Sequence, residues 1–188
     1  ATRKGAVATA LSPNQQNKFT VQAVPLDEDF ANAVVQGSKS RNTDGVLVVA
    51  ENGNVLVDCT GKIEQLREVS DFIVSGFTFA CKAGPLCGEP MHGVQVNLMN
   101  VQLSECLEQR SPVEVMRGVG KAVFGSFLTA EPVLLEPVYK IVISAPTEVA
   151  GACSKIISGR RGKISSFEQK GGLTVLTGSI PVAGAFGL

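Results

Sequence analysis

The chain has 188 residues, 17 Lys+Arg against 17 Asp+Glu, one His and a formal net charge of +0. A 44% hydrophobic share with only 18% charged residues excludes a disordered chain, which carries much charge and has little to bury. Near-neutral charge removes the usual signature of a nucleic-acid-binding domain, leaving room only for a small basic tip on a neutral body. The length allows one compact domain or two small ones. No apolar run approaches the ~18 residues that span a bilayer, and residues 1–10 lack a signal-peptide core, so a cytoplasmic protein without membrane contact is expected. Five cysteines, an odd number with no C-x-x-C pair, read as reduced structural thiols. The sole imidazole, His92, has no well-spaced partner for a metal, so none is expected.

Ser12-Pro13-Asn14 opens a polar loop that continues through Asn17. Phe19, Val21 and Ala23 then alternate with Thr20 and Gln22, the period of a half-buried strand running to Leu26. Asp27–Gln36 reads as a short helix stopped by Gly37, and 38–45 as a loop. Val46–Ala50 and Val55–Cys59 flank Asn52-Gly53, a hairpin signal. Ile63, Leu66, Val69, Ile73, Phe77 and Ala80 predict one amphipathic helix over 63–83, ended by Gly84-Pro85. Val94, Val96 and Leu98 alternate before the phase shifts to Val101 and Leu103, which predicts a bulge near Met99–Asn100.

A second polar loop runs from Ser104 to Arg110. Ser111 and Glu114, with Pro112 between them, have capping-box spacing for a helix carrying Met116, Val119, Val123 and Phe127 on one face. Glu131-Pro132 ends that pattern and a new unit begins at Leu134. It holds a strand at 138–145, then a helix over 147–158 with Val149, Cys153, Ile156 and Ile157 inward. Strands at 163–169 and 173–182 follow, joined by Lys170-Gly171-Gly172. The result is β-α-β-β, one helix and one strand short of a split β-α-β fold.

No G-x-x-x-x-G-K-[ST] occurs, one His gives no Ser/His/Asp set, and Gly118-Val119-Gly120 inside a helix reads as close packing. Glu105 and Glu108 read as solvated carboxylates, and Cys106 has only Arg110 near in sequence to activate it. No catalytic site is visible. The loops 12–18 and 104–112 are either two solvated connections or one shared binding surface, since both adjoin strands able to pair. Arg160, Arg161 and Lys163 are either cations completing a helix C-terminus or contacts to RNA phosphates.

Several blocks then resemble one family. Ser12-Pro13-Asn14-Gln15-Gln16-Asn17-Lys18-Phe19 with Ala23-Val24-Pro25-Leu26 resembles the opening of the fourth domain of elongation factor 2. Gly84-Pro85-Leu86-Cys87-Gly88-Glu89-Pro90 and the run from Leu128 to Pro137 are similar to that family's later signatures. Arg160-Arg161-Gly162 and Pro181–Gly187 are similar to its fifth domain. The flavour is archaeal and eukaryotic rather than bacterial. The resemblance implies an α/β (α+β) chain. Residues 1–133 would be a fourth-domain-like unit, ribosomal-protein-S5-like with an unusual left-handed crossover. Residues 134–188 would be a ferredoxin-like fifth domain cut before its last helix and strand.

It also implies a C-terminal fragment of a translational GTPase, monomeric, whose GTP and Mg²⁺ belong to a G domain absent here. The partner implied is the ribosome (rRNA, with A-site tRNA and mRNA), and the process is translocation. Ser12, Pro13, Asn14, Gln16, Asn17, Lys18, Cys106, Gln109 and Arg110 would form the tip, with Arg160, Arg161 and Lys163 against rRNA. Gln16 stands where the family's first loop commonly has His, Cys106 where Asp is usual, and Gln109 where the second loop has the His modified to diphthamide. Glutamine lacks the imidazole which that modification uses. Elongation-factor-like GTPases of ribosome maturation or quality control give an alternative, and a spliceosomal relative stands behind them.

Overall fold

The computed structural model describes residues 1–27, 45–50, 52–61 and 66–188. The expected helix at 27–36 and loop at 38–45 fall almost wholly outside them. Two compact units divide the chain, Ala1–Val133 and Leu134–Leu188.

In the first unit, β1 (Ala8–Leu11), β2 (Lys18–Pro25), β3 (Val46–Val49), β4 (Val55–Asp58) and β5 (Val94–Gln102) form one sheet in the order β1-β2-β5-β4-β3. Neighbours are antiparallel except β4 and β5, which run parallel and are joined through helix α1 (Ser70–Lys82). The period-two pattern sends Phe19, Val21 and Ala23 of β2, and Val94, Val96 and Leu98 of β5, into the core. Ile73 and Phe77 of α1, with Val115, Val119 and Val123 of α2 (Pro112–Thr129), belong to the same core cluster. The bulge falls where expected: Thr20 pairs with Asn100 and Val21 with Leu98, leaving Met99 as the extra residue. The hairpin also stands, with Gly53 at φ +75° and its N–H donating to the Ala50 carbonyl at 2.8 Å.

Two expectations of this unit are corrected. Helix α1 begins at Ser70, where the expected helix spanned 63–83; Leu66 and Val69 are buried in the turns that lead into it, and Ile63 lies outside the described residues. Ser111 makes no side-chain cap, and the Glu114 carboxylate, which a capping box would turn back to the Ser111 N–H, accepts the Asn14 backbone N–H at 2.7 Å. Strand β1 had no signal: Ala8-Thr9-Ala10-Leu11 is too short to show a period. Ser126 ties this N-terminal stretch down, donating from Oγ to the Ala6 carbonyl at 2.6 Å and accepting the Ala23 N–H at 2.8 Å.

Two helix–helix and helix–sheet contacts are closer than any side chain allows. A Cβ on Gly76 would lie 2.7 Å from the Met116 carbonyl oxygen, and one on Gly118 would lie 2.5 Å from Cε2 of the buried Phe19 ring. The Gly118 contact is the close packing its sequence position suggested.

The second unit is a three-stranded antiparallel sheet, β6 (Val138–Pro146), β7 (Lys163–Lys170) and β8 (Leu173–Pro181), in the order β6-β8-β7. Helix α3 (Thr147–Gly159) joins β6 to β7, and a single turn α4 (Val182–Ala185) follows β8. Leu176, Ile180 and Ile157 are its fully buried large side chains. The expected inward stripe on α3 is corrected in part: Ile157 is buried as expected and Cys153 is half-buried, but Val149 and Ile156 are exposed and Ala150 faces inward instead. A three-stranded sheet presents a narrow face, and the small Ala150 lets the helix sit close on one line of residues seven apart.

Candidate functional site

Antiparallel pairing of β2 with β5 ends at Lys18 opposite Gln102, so loop 12–17 and the segment 103–111 leave the sheet side by side. The second segment contains a 3₁₀ turn, Leu107–Arg110, where only an irregular loop was expected. Three amide side chains then join the two loops into one tip.

Asn14 is the centre. Its Nδ2 donates to the Gln109 carbonyl at 2.9 Å and to Gln109 Oε1 at 3.1 Å. Its Oδ1 accepts from Ser12 Oγ at 2.6 Å and from the Gln16 N–H at 3.1 Å, and its own N–H reaches Glu114 at 2.7 Å. Asn17 makes a second bridge, donating from Nδ2 to the Gln109 carbonyl at 2.7 Å and accepting the Ser104 N–H at 3.1 Å. Arg110 closes the outer side, with Nε on the Ser104 carbonyl, Nη2 on the Glu105 carbonyl at 3.3 Å and Nη1 against Glu68 at 3.2 Å. Each such bond contributes about 0.5–1.5 kcal/mol, and together they fix a geometry that two separate loops would not hold.

The residues of the two loops, the expected tip residues among them, therefore sort into two groups. Ser12 and Asn17 are buried, and Asn14, Gln109 and Arg110 are half-buried; their bonds build the tip. Pro13, Gln15, Gln16, Lys18, Glu105, Cys106, Leu107 and Glu108 are exposed and form its outer surface. Gln15 sits at the apex with φ +60°, a left-handed conformation uncommon for a side chain of its kind. Gln109 Oε1 is anchored by Asn14, while its Nε2 has no partner among the described residues. Exposed charge at the tip is Lys18 against Glu105 and Glu108, so it has no cationic surplus for phosphates.

Sequence reasoning missed Glu68 and Glu114 as parts of this assembly. Glu114 had a local assignment as a cap, and nothing in the sequence signals that Glu68 faces Arg110. In the second unit, Arg160 donates to the carbonyls of Gly184, Phe186 and Gly187 at 3.1, 2.7 and 2.9 Å. Arg161 pairs with both oxygens of Glu136 at 2.9 and 3.0 Å. Lys163 is exposed, and its side chain has no hydrogen bond or ion pair among the described residues.

No group of three or more His, Cys, Asp or Glu able to hold a metal occurs among the described residues. All five cysteines are free, and no described helix is long and apolar enough to cross a membrane. The sequence contains no G-x-x-x-x-G-K-[ST] phosphate-cradling loop.

A family model described as elongation factor G, domain IV, matches residues 27–131, and one described as elongation factor G C-terminus matches residues 133–188. The chain is 33% identical to elongation factor 2 of Korarchaeum cryptofilum over 96% of its length, covering 27% of that protein. It is 35% identical to elongation factor 2 of Staphylothermus marinus over 98% of its length, covering 28% of that protein. The chain thus spans about a quarter of the length of these relatives.

Proposed function

We propose a function from one premise: the chain belongs to the family of elongation factor G and elongation factor 2, of which it carries the domain IV and C-terminal portions. In this reading the tip built from loops 12–18 and 104–112 enters the ribosomal decoding region and holds tRNA and mRNA during translocation. The observation that supports it most is the bond from Asn14 to Gln109 Oε1, which orients the Gln109 amide and leaves its two Nε2 hydrogens for an outside acceptor. RNA presents such acceptors on base edges and 2′-hydroxyls. Gln109 takes the place of the modified histidine, and a glutamine side chain cannot become diphthamide. GTP turnover belongs to other parts of a longer protein, and its cellular place is the cytoplasm with the ribosome.

The test is a chimera in which residues 1–188 replace the matching segment of the Korarchaeum cryptofilum elongation factor 2. Bound to ribosomes with a non-hydrolysable GTP analogue, it should protect decoding-centre nucleotides, and Gln109→Ala should reduce both that protection and the translocation rate. Protection confined to the GTPase-centre side would reject the reading. It would leave a docking factor in ribosome maturation or quality control.

A further inference from the structure

Helices α1 and α2, in close approach at Gly76, line an open apolar groove of about 530 Å³. Gly76, Ala80 and Gly120 make its floor; Phe79, Met116 and Phe124 wall it. Phe79 is 72% exposed, a phenylalanine held out at the rim of the groove rather than folded in. Arg117 is the one charged residue of the lining. Lys121 stands one turn after Arg117 on α2, and Lys82 three residues after Phe79 on α1, so helical spacing puts both beside the groove. All three cations are exposed, and none of their side chains has a hydrogen bond or ion pair among the described residues. Glu114, spaced to neutralise Arg117, is held by the Asn14 N–H.

We propose that this groove docks an acidic amphipathic helix of a protein partner. Large apolar side chains of the partner fill the floor, and its carboxylates meet Lys82, Arg117 and Lys121. The groove offers one polar side chain, which suits an aliphatic or aromatic side chain with nothing to satisfy. A nucleobase placed there would leave its hydrogen-bonding edge unpaired. The proposal does not depend on the ribosomal reading of the tip.

The probe is a fluorescein-labelled synthetic peptide of about 16 residues, roughly four helical turns, with Leu at i, i+4, i+7 and i+11 and Glu on the flanking positions. The 188-residue chain should bind it saturably, more tightly as salt is lowered. Phe79→Ala should weaken binding about tenfold. Arg117→Glu combined with Lys121→Glu should weaken it by a similar factor and flatten the salt dependence. These side chains are exposed, and unchanged far-UV circular dichroism checks that the variants fold. A matched peptide with Lys in place of Glu should bind at least about tenfold more weakly. Equal binding of the lysine peptide, or acidic-peptide binding indifferent to both variants, would overturn the proposal. So would labelled oligouridine binding through these residues while the acidic peptide fails to bind.

Discussion

A methyl group at Gly76 tests the helix crossing that shapes the first unit. The added Cβ would stand 2.7 Å from the Met116 carbonyl oxygen, 2.9 Å from its Cα and 3.2 Å from its carbonyl carbon. All three are backbone atoms, so no side-chain rotation relieves the contact. The helices must separate by roughly 0.7 Å to restore ordinary van der Waals distance. Overpacking of this kind costs about 1–3 kcal/mol, and the better helix propensity of alanine returns about 1. Gly120→Ala is the internal control: it belongs to the same helix pair, but its added Cβ meets nothing nearer than the Gly76 carbonyl oxygen at 3.9 Å. It gains the propensity without the clash and should stabilise by up to about 1 kcal/mol. Urea unfolding followed by far-UV circular dichroism reads both, since the chain has no Trp and its one tyrosine, Tyr139, lies in the second unit. Hydrogen exchange in α1 assigns the change to the first unit. A Gly76→Ala midpoint equal to or above that of Gly120→Ala would refute the packing argument.

Asn54 is fully buried, donating to the Met91 carbonyl at 2.7 Å and accepting the Val94 N–H at 3.0 Å. Asn54→Leu should cost about 2–4 kcal/mol by stranding two backbone groups, read by denaturation and by faster exchange at Val94. Burial pushes the Cys81 thiol up to about 12 from its ordinary 9.0, against a smaller opposing hydrogen bond from Asn54. The folded state therefore keeps a proton that the unfolded state loses. Stability is fully present below about pH 9 and falls by about 1.4 kcal/mol per pH unit above it, up to about pH 12. Cys81→Ala should remove that slope, and an unchanged alkaline slope would contradict it. Asn14→Ala should speed amide exchange across 104–111 while leaving β8 unchanged; equal protection in both proteins would show that the loops stand without their bridge. A diphtheria-type toxin should transfer no ADP-ribose to residue 109, and label found there would mean the position is misassigned.

What was legible followed from patterns that burial enforces directly. Phe19, Val21 and Ala23 alternate because one face of β2 is core, and Met99 breaks the alternation because it is the bulged residue. Asn52-Gly53 marked its hairpin through the positive φ that glycine accepts. The errors came where a distant partner outbid a local one. Glu114 had the spacing of a cap, but the Asn14 N–H, 100 residues away in sequence, claimed its carboxylate. On α3, size misled: Val149 and Ile156 look like core residues, yet the sheet meets Ala150. The nearness of the two loops was readable from strands able to pair. Which of their residues face outward was not, since Ser12 and Asn17, as polar as their neighbours, are 2% and 0% exposed.

The chemistry of the tip follows from how its charges are used. Glu114 and Arg110 are charged groups of these segments, and both are committed to holding the loops: one on Asn14, the other on Ser104, Glu105 and Glu68. The bridges themselves run through Asn14, Asn17 and Gln109, which do not titrate, so the tip keeps its shape across the physiological pH range. Its outer charges, Lys18 with Glu105 and Glu108, do not attract phosphate. Binding driven by phosphate neutralisation would weaken steeply with salt. A rigid, near-neutral tip instead contributes shape and hydrogen-bond donors, which discriminate geometry while adding little affinity. In the proposed function, the tip therefore tests what occupies the decoding region, and the rest of a longer protein supplies the strength with which it is held there.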